Sequence, residues 1–210
     1  MKKNEVIEMI QKLKAAYPEA TCSLDFKTPF QLVVAVMLSA QCTDERVNKT
    51  TPALFKRCKT IQDFANIDIT ELEELIHPCG FYKNKAKNVK LCAKQVLENY
   101  NGVVPQTYEE LMTLAGIGRK SANVIMLEVF NIAEGIAVDT HVKRIAGLIG
   151  LSKNKEPEKI EKDLLKIIPK EYLKDVNHLF IWHGRNCCIA RKPQCDSCPI
   201  NIYCKHFNSK

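Results

Sequence analysis

From Val6 to His183 the apolar residues of this chain recur three and four apart, and no stretch alternates apolar and polar as a half-buried strand does. That pattern restricts the fold to packed helices, an all-α architecture. Punctuation divides it into elements. Val6, Ile7, Ile10 and Leu13 outline a first amphipathic helix that Pro18 closes off. Pro29 stands at a good first-turn position for a second helix, reaching about Ala40. Thr43 can cap a third, running to about Lys56. Asp63 to Ile76 reads as short helices ending before His77-Pro78-Cys79-Gly80, and Lys83 to Tyr100 as one long helix ended by Asn101-Gly102. Helices are further expected over Thr107–Thr113, Arg119–Phe130, Thr140–Ile149, Glu156–Ile168 and Glu171–His183.

A chain of 210 residues, 46% hydrophobic, can bury one large core or two small ones, and is too apolar to be disordered. No fixed-period repeat or low-complexity stretch is present, and no Gly/Ser-rich linker, so two lobes would have to pack closely rather than swing on a tether. The start of the chain lacks the continuous apolar core of a signal peptide, and the most apolar run, Leu32 to Ala40, is too short for a bilayer. A soluble intracellular protein is expected, cytoplasmic and nucleoid-associated if bacterial, with no membrane partner. The net charge of +7 favours a polyanionic partner.

Ten cysteines in an intracellular chain point to metal ligation or free thiols rather than disulfides. Cys22, Cys42, Cys58, Cys79 and Cys92 are scattered through helical segments and read as small buried residues. Cys188, Cys195, Cys198 and Cys204 instead follow C-x6-C-x2-C-x5-C. Four thiolates so spaced suit tetrahedral zinc or an iron–sulfur cluster, and the long first and last intervals favour the larger object. Cys187 is a spare thiol and an alternative ligand to Cys188, with a first spacing of x7. Arg191 and Lys192, between the first two ligands, form either a phosphate-contacting tip or a solvated charged loop.

Leu114-Ala115-Gly116-Ile117-Gly118-Arg119-Lys120 lies between two expected helices. Two glycines allow a tight turn with positive backbone angles, Ile117 can plug the core, and the amides of Gly116, Gly118 and the following helix N-terminus form a nest for a phosphate. Lys120 and Arg119 occupy the wrong end of a helix for cations, where the dipole and mutual repulsion oppose their charge. A lysine that has given up its proton can attack carbon and form a Schiff base, whereas a protonated one grips phosphate. A helix over 119–130 runs outward about 15 Å, and an extended Ile136–Asp139 returns about 13 Å, which would bring Asp139 back beside Lys120. There it would stabilise a cationic sugar or assist proton transfer, and it is also placed to cap the helix that starts at Thr140.

These residues resemble the endonuclease III family of DNA glycosylases. The resemblance is carried by Leu114–Val124 (LAGIGRKSANV), Val138–His141 (VDTH), Ser39–Asp44 (SAQCTD), His183-Gly184-Arg185 and the cysteine spacing, and it extends over essentially the whole chain. It implies a two-lobed helix-hairpin-helix fold: a helical barrel over 22–132, and a discontinuous domain of 1–21 with 133–210 holding a [4Fe–4S] cluster on Cys188, Cys195, Cys198 and Cys204. It implies a bifunctional N-glycosylase and AP lyase of base excision repair, acting as a monomer on oxidised pyrimidines and abasic sites in double-stranded DNA. Lys120 matches the family's catalytic lysine and Asp139 its aspartate. Gln41 and Phe81 match positions that fill the space of a flipped nucleotide and wedge the helix. The family more often has leucine at the second position, and Phe81 also reads as a core residue. Asp44 and His141 match residues near the damage pocket. Ala115 replaces a common proline.

Related readings are a mismatch adenine glycosylase, against which Ala35 and Lys120 both argue, and a mismatch thymine glycosylase, which differs only in pocket residues. Outside the superfamily stand a non-catalytic DNA-binding module with a structural metal, and an electron-transfer protein.

Overall fold

The computed structural model describes residues 1–209, and among them all regular structure is helical. The α-helices are α1 (Lys3–Ala16), α2 (Pro29–Ser39), α3 (Asp44–Arg57), α4 (Ile61–Asn66), α5 (Ile69–Ile76), α6 (Tyr82–Tyr100), α7 (Tyr108–Thr113), α8 (Arg119–Phe130), α9 (Thr140–Ile149), α10 (Pro157–Ile167), α11 (Leu173–Asn186) and α12 (Lys205–Asn208). Short 3-10 turns at His77–Cys79, Lys170–Tyr172 and Asn201–Tyr203 complete the set. None of the helices is long and apolar enough to cross a membrane.

Local chemistry explains the boundaries. The hydroxyls of Thr28, Thr43, Thr60 and Thr107 accept from amides three residues on, each satisfying a donor that the first helical turn leaves unpaired. The Asp68 carboxylate does the same for two amides at the start of α5. Asn101, Asn131 and Gly150 end α6, α8 and α9 in the left-handed conformation, which these residue types adopt at low cost. Helix α11 continues three residues past the expected His183, to Asn186. The four-residue α12 has too little sequence to carry a periodic signal.

The chain divides into two compact units, residues 23–131 and residues 1–22 with 132–210. In the first, α2 is buried nearly all round (Phe30 and Leu32 through Leu38) and is packed by α3, α6 and α8. A helix apolar on every side must be central. In the second unit, Val6, Met9, Ile10 and Leu13 of α1 join Val142, Ile145 and Ile149 of α9, Ile160 and Leu164 of α10, and Val176, Leu179 and Phe180 of α11 in one core.

Candidate active site and cysteine centre

The hairpin between α7 and α8 is built as the sequence suggests, with one difference. Gly116 has φ +77, and a Cβ there would lie 2.8 Å from Met37 Cε and 3.0 Å from Asn88 Cβ, so only glycine fits. Gly118 is not left-handed: it is the extended N-cap of α8, with φ −103 and ψ 178. The turn needs one positive angle rather than two, because the amide of Ile117 already closes it onto the carbonyl of Leu114. Ile117 is buried, and the Gln95 side chain accepts from the amide of Ala115. Arg119 lies over the ring of Tyr108, 5.3 Å from its centroid. Lys120 stands exposed at the second position of α8, so burial does not act on its amine.

Asp139 is the N-cap of α9, and its Oδ1 accepts from the amide of Val142 at 2.7 Å. The capping role is therefore realised, with one carboxylate oxygen engaged in it. Buried Glu161 holds the approach to Asp139 by accepting from the Ile136 amide at 3.1 Å. The sequence carried a signal for this residue: a carboxylate at a core position of α10, next to Ile160. His141 packs against Gly184, where a Cβ would come within 2.5 Å of its Nδ1.

Gln41 and Phe81 share an uncommon backbone, with φ +53 and +46. Both are exposed, Phe81 to 65%, which removes the core reading of Phe81. Asp44 begins α3, and its carboxylate accepts from the Ser23 hydroxyl. Of the scattered cysteines, Cys58, Cys79 and Cys92 are buried as expected, whereas Cys22 and Cys42 are partly exposed because they sit in the α1–α2 and α2–α3 connections rather than in helices.

Cys188, Cys195, Cys198 and Cys204 all line one recess, together with Cys187 and His183 and walled by Ile145, Leu148, Ile149 and Ile200. The tightest convergence is a different trio, His183, Cys187 and Cys198, whose ligand atoms lie within 4.8 Å of one another. His183 and Cys187 are four residues apart at the end of α11 and so face the same way. Cys187 Sγ donates to the Gln194 carbonyl, and Gln194 N donates back to the Cys187 carbonyl, which makes Cys187 a closure of the loop. His183 is held by the hydroxyl of Tyr17, 3.0 Å from its Nδ1, and its Nε2 is 3.7 Å from Cys198 Sγ. Burial, helped by the charge of Arg144, pushes its pKa down to about 4, so the ring is neutral. Arg144 binds the carbonyls of Gly184 and Cys188 and so pins the start of the cysteine loop to α9. Arg191 and Lys192 are exposed on that loop.

Comparison with known proteins identifies both regions. Residues 34–170 match the family described as HhH-GPD superfamily base excision DNA repair protein, and residues 188–204 match the iron-sulfur binding domain of endonuclease III. Endonuclease III of Synechocystis is 50% identical over 97% of this chain and 93% of its own length. That of Escherichia coli K12 is 38% identical over 98% and 97%. This chain belongs to the endonuclease III family.

A solved structure of a trapped endonuclease III–DNA covalent intermediate is similar over 100% of this chain and 98% of that one, with a TM-score of 0.93 and 40% identity. A thermostable thymine-DNA glycosylase shares the fold, with a TM-score of 0.89, at only 18% identity. This endonuclease III family member is a DNA glycosylase and AP lyase of base excision repair, and it carries a [4Fe–4S] cluster. The recess suits that group. Burial pushes the Cys198 thiol up to about 12 and raises that of Cys188, and the neighbouring sulfurs add to both. Such thiols need a cationic centre to be held as thiolates. When bound, the cluster supplies iron–sulfur cross-links within a segment that has little regular structure of its own.

Proposed function

We propose that this endonuclease III family member excises oxidised pyrimidines from double-stranded DNA with Lys120 as nucleophile, and that it then cleaves the abasic strand. The observation that carries the reading is the exposed amine of Lys120 in the first turn of α8, directly behind the Gly116–Gly118 turn. The turn and the helix N-terminus bind a backbone phosphate without reading sequence, Arg119 assisting, and this sets the amine against the sugar. The lysine nitrogen attacks C1′, the C1′–N bond breaks, and the base departs with the electron pair and takes up a proton. The bonded nitrogen loses a proton, the C1′–O4′ bond opens with O4′ taking up a proton, and the protonated imine so formed acidifies the 2′ carbon. Loss of a 2′ proton then expels the 3′ oxygen by β-elimination, and water hydrolyses the imine to free the lysine. Asp139 supports the cationic sugar as the base leaves. Gln41 and Phe81 occupy the helix where the nucleotide has left it, Asp44 and His141 border the damage pocket, and Arg191 and Lys192 meet phosphates. The ligands of the cluster are Cys188, Cys195, Cys198 and Cys204; the matched iron-sulfur segment begins and ends on the outer two. The protein works as a monomer, on chromosomal DNA in the cytoplasm.

Borohydride trapping on a duplex with one oxidised pyrimidine tests the mechanism. A covalent adduct is expected with the native chain and none with Lys120→Ala; an adduct with both would remove Lys120 from the chemistry. Asp139→Asn separates the two roles of Asp139, since asparagine caps a helix as well as aspartate does. Base release is expected to slow by roughly 10²-fold or more with an unchanged melting temperature. A lowered melting temperature with normal turnover would leave Asp139 as a cap alone.

A further inference from the structure

The unit over 23–131 contains one buried lysine among its described residues, and the reaction above does not use it. Lys85, 7% exposed, extends from the second turn of α6, and its ammonium donates to the carbonyl of Leu38 at 2.8 Å and to the carbonyl of Cys79 at 2.8 Å. Its own amide donates to the carbonyl of Phe81 at 3.1 Å. Cys42 and Cys79 are its other charged or polarisable neighbours.

A lysine is a costly choice here. It lies near the positive end of α6, and burial works against its charge, pulling its pKa down. The chain closes other helix ends cheaply, with Asn101, Asn131 and Gly150. What distinguishes Lys85 is the pair of segments it joins. Leu38 lies in the last turn of α2, three residues before Gln41; Cys79 ends the 3-10 turn, two residues before Phe81. Among the described residues four non-glycine ones have positive φ: two are asparagines, which accept it, and the others are Gln41 and Phe81, for which it costs on the order of 1–2 kcal/mol. The two strained positions are thus the two with exposed side chains that follow the carbonyls on Lys85.

We infer that Lys85 is a positioning residue for base extrusion, one buried ammonium that fixes the Gln41 turn and the Phe81 turn to each other so that both side chains enter the duplex together. This rests on the proposed role of Gln41 and Phe81. The ammonium suits the task because its donors can serve two carbonyl ends at once, and because its hydrogen bonds are shielded from water. A misplacement of about 1 Å in such a pair is enough to cost on the order of 10²-fold in rate.

The test compares Lys85→Met, which keeps the aliphatic stem and removes the donors, with Lys85→Gln, which keeps a shorter donor, and with the Gln41→Ala/Phe81→Ala double variant. Single-turnover strand cleavage is measured on a duplex containing an oxidised pyrimidine and on a single-stranded abasic oligonucleotide, which has no helix to wedge. Helical circular dichroism and the visible absorbance of the cluster report folding. The duplex-to-single-strand rate ratio is expected to fall tenfold to a hundredfold in Lys85→Met and less in Lys85→Gln. Adding Lys85→Met to the double variant is expected to lower the ratio no further. Equal losses on both substrates, an unchanged ratio, or losses that add to those of the double variant would each overturn the inference. An unchanged ratio in the double variant would instead show that Gln41 and Phe81 do not insert, and the role of Lys85 would fall with that reading. If Lys85→Met does not fold, Lys85→Gln against the native chain decides the matter by the same ratio.

Discussion

Residues 23–131 and the segment 187–204 solve the same problem by different means. The first closes an apolar core around α2, with helix ends satisfied by threonine, aspartate and asparagine caps. The second buries little beyond Cys187 and Ile200, and its only regular structure is the 3-10 turn Asn201–Tyr203. Its carbonyls are met by Arg144 and by loop amides, and its sulfurs converge on a recess. Where apolar area is scarce, covalent ligation replaces it. The lesson is that order in the helical unit is distributed over many contacts, whereas order in the cysteine segment depends on a few bonds.

The largest expected effect breaks that segment alone. Cys195→Ser, or removal of iron, is expected to abolish amide-exchange protection over 187–204, while α2 and α6 keep theirs. Protection retained at 187–204 without iron would mean that packing, not ligation, orders the segment. Next, Phe64→Ala empties a fully buried site that Phe30 and Phe55 contact edge-on, and is expected to cost about 3–5 kcal/mol in denaturant unfolding, with iron content unchanged. A cost near zero would show that the helical core is plastic.

Gly116→Ala meets Met37 and Asn88 at a positive φ and is expected to cost roughly 1–3 kcal/mol, whereas Gly118→Ala enters open space. Similar melting temperatures for the two variants would contradict the tight approach at Gly116. The smallest effect concerns acid. The amides of Glu71 and Thr70 bound to Asp68 hold its carboxyl below the usual range. Its contribution is therefore present above the unfolded carboxylate pKa and lost as pH falls through the lower folded value. Asp68→Asn, which keeps the cap without the charge, is expected to flatten that acid limb of the stability curve; an unchanged limb would exclude Asp68 as a source of it.

Much of this was legible along the chain because its causes are local. Thr43 lies three residues from the amide that it caps, and Cys195 and Cys198 are three apart, so both announce themselves in a short window. Gly116 and Ile117 were readable for the same reason, and the endonuclease III resemblance rested on such windows. The second glycine misled because a turn's amide bonding, not its composition, sets how many positive angles it needs. Cys42 was expected to be buried because helical apolar segments flank it, but the chain turns there.

Other features were decided by contacts between distant residues. Periodicity places Lys85 on the apolar stripe of α6 but cannot say that Leu38, 47 residues earlier, supplies a carbonyl to its ammonium. His183 looks like part of a short motif, yet its neutral state follows from burial and from the charge of Arg144, and its ring is held by Tyr17, 166 residues away in sequence. The amino-acid sequence by itself determined the helices, their caps, the glycine turn and the set of thiols, because hydrogen bonds and steric limits within a few residues suffice for each. Tertiary structure alone decided which side chains are buried, which charges meet carbonyls, and that Phe81 faces solvent, because burial and long-range hydrogen bonding exist only once helices have packed.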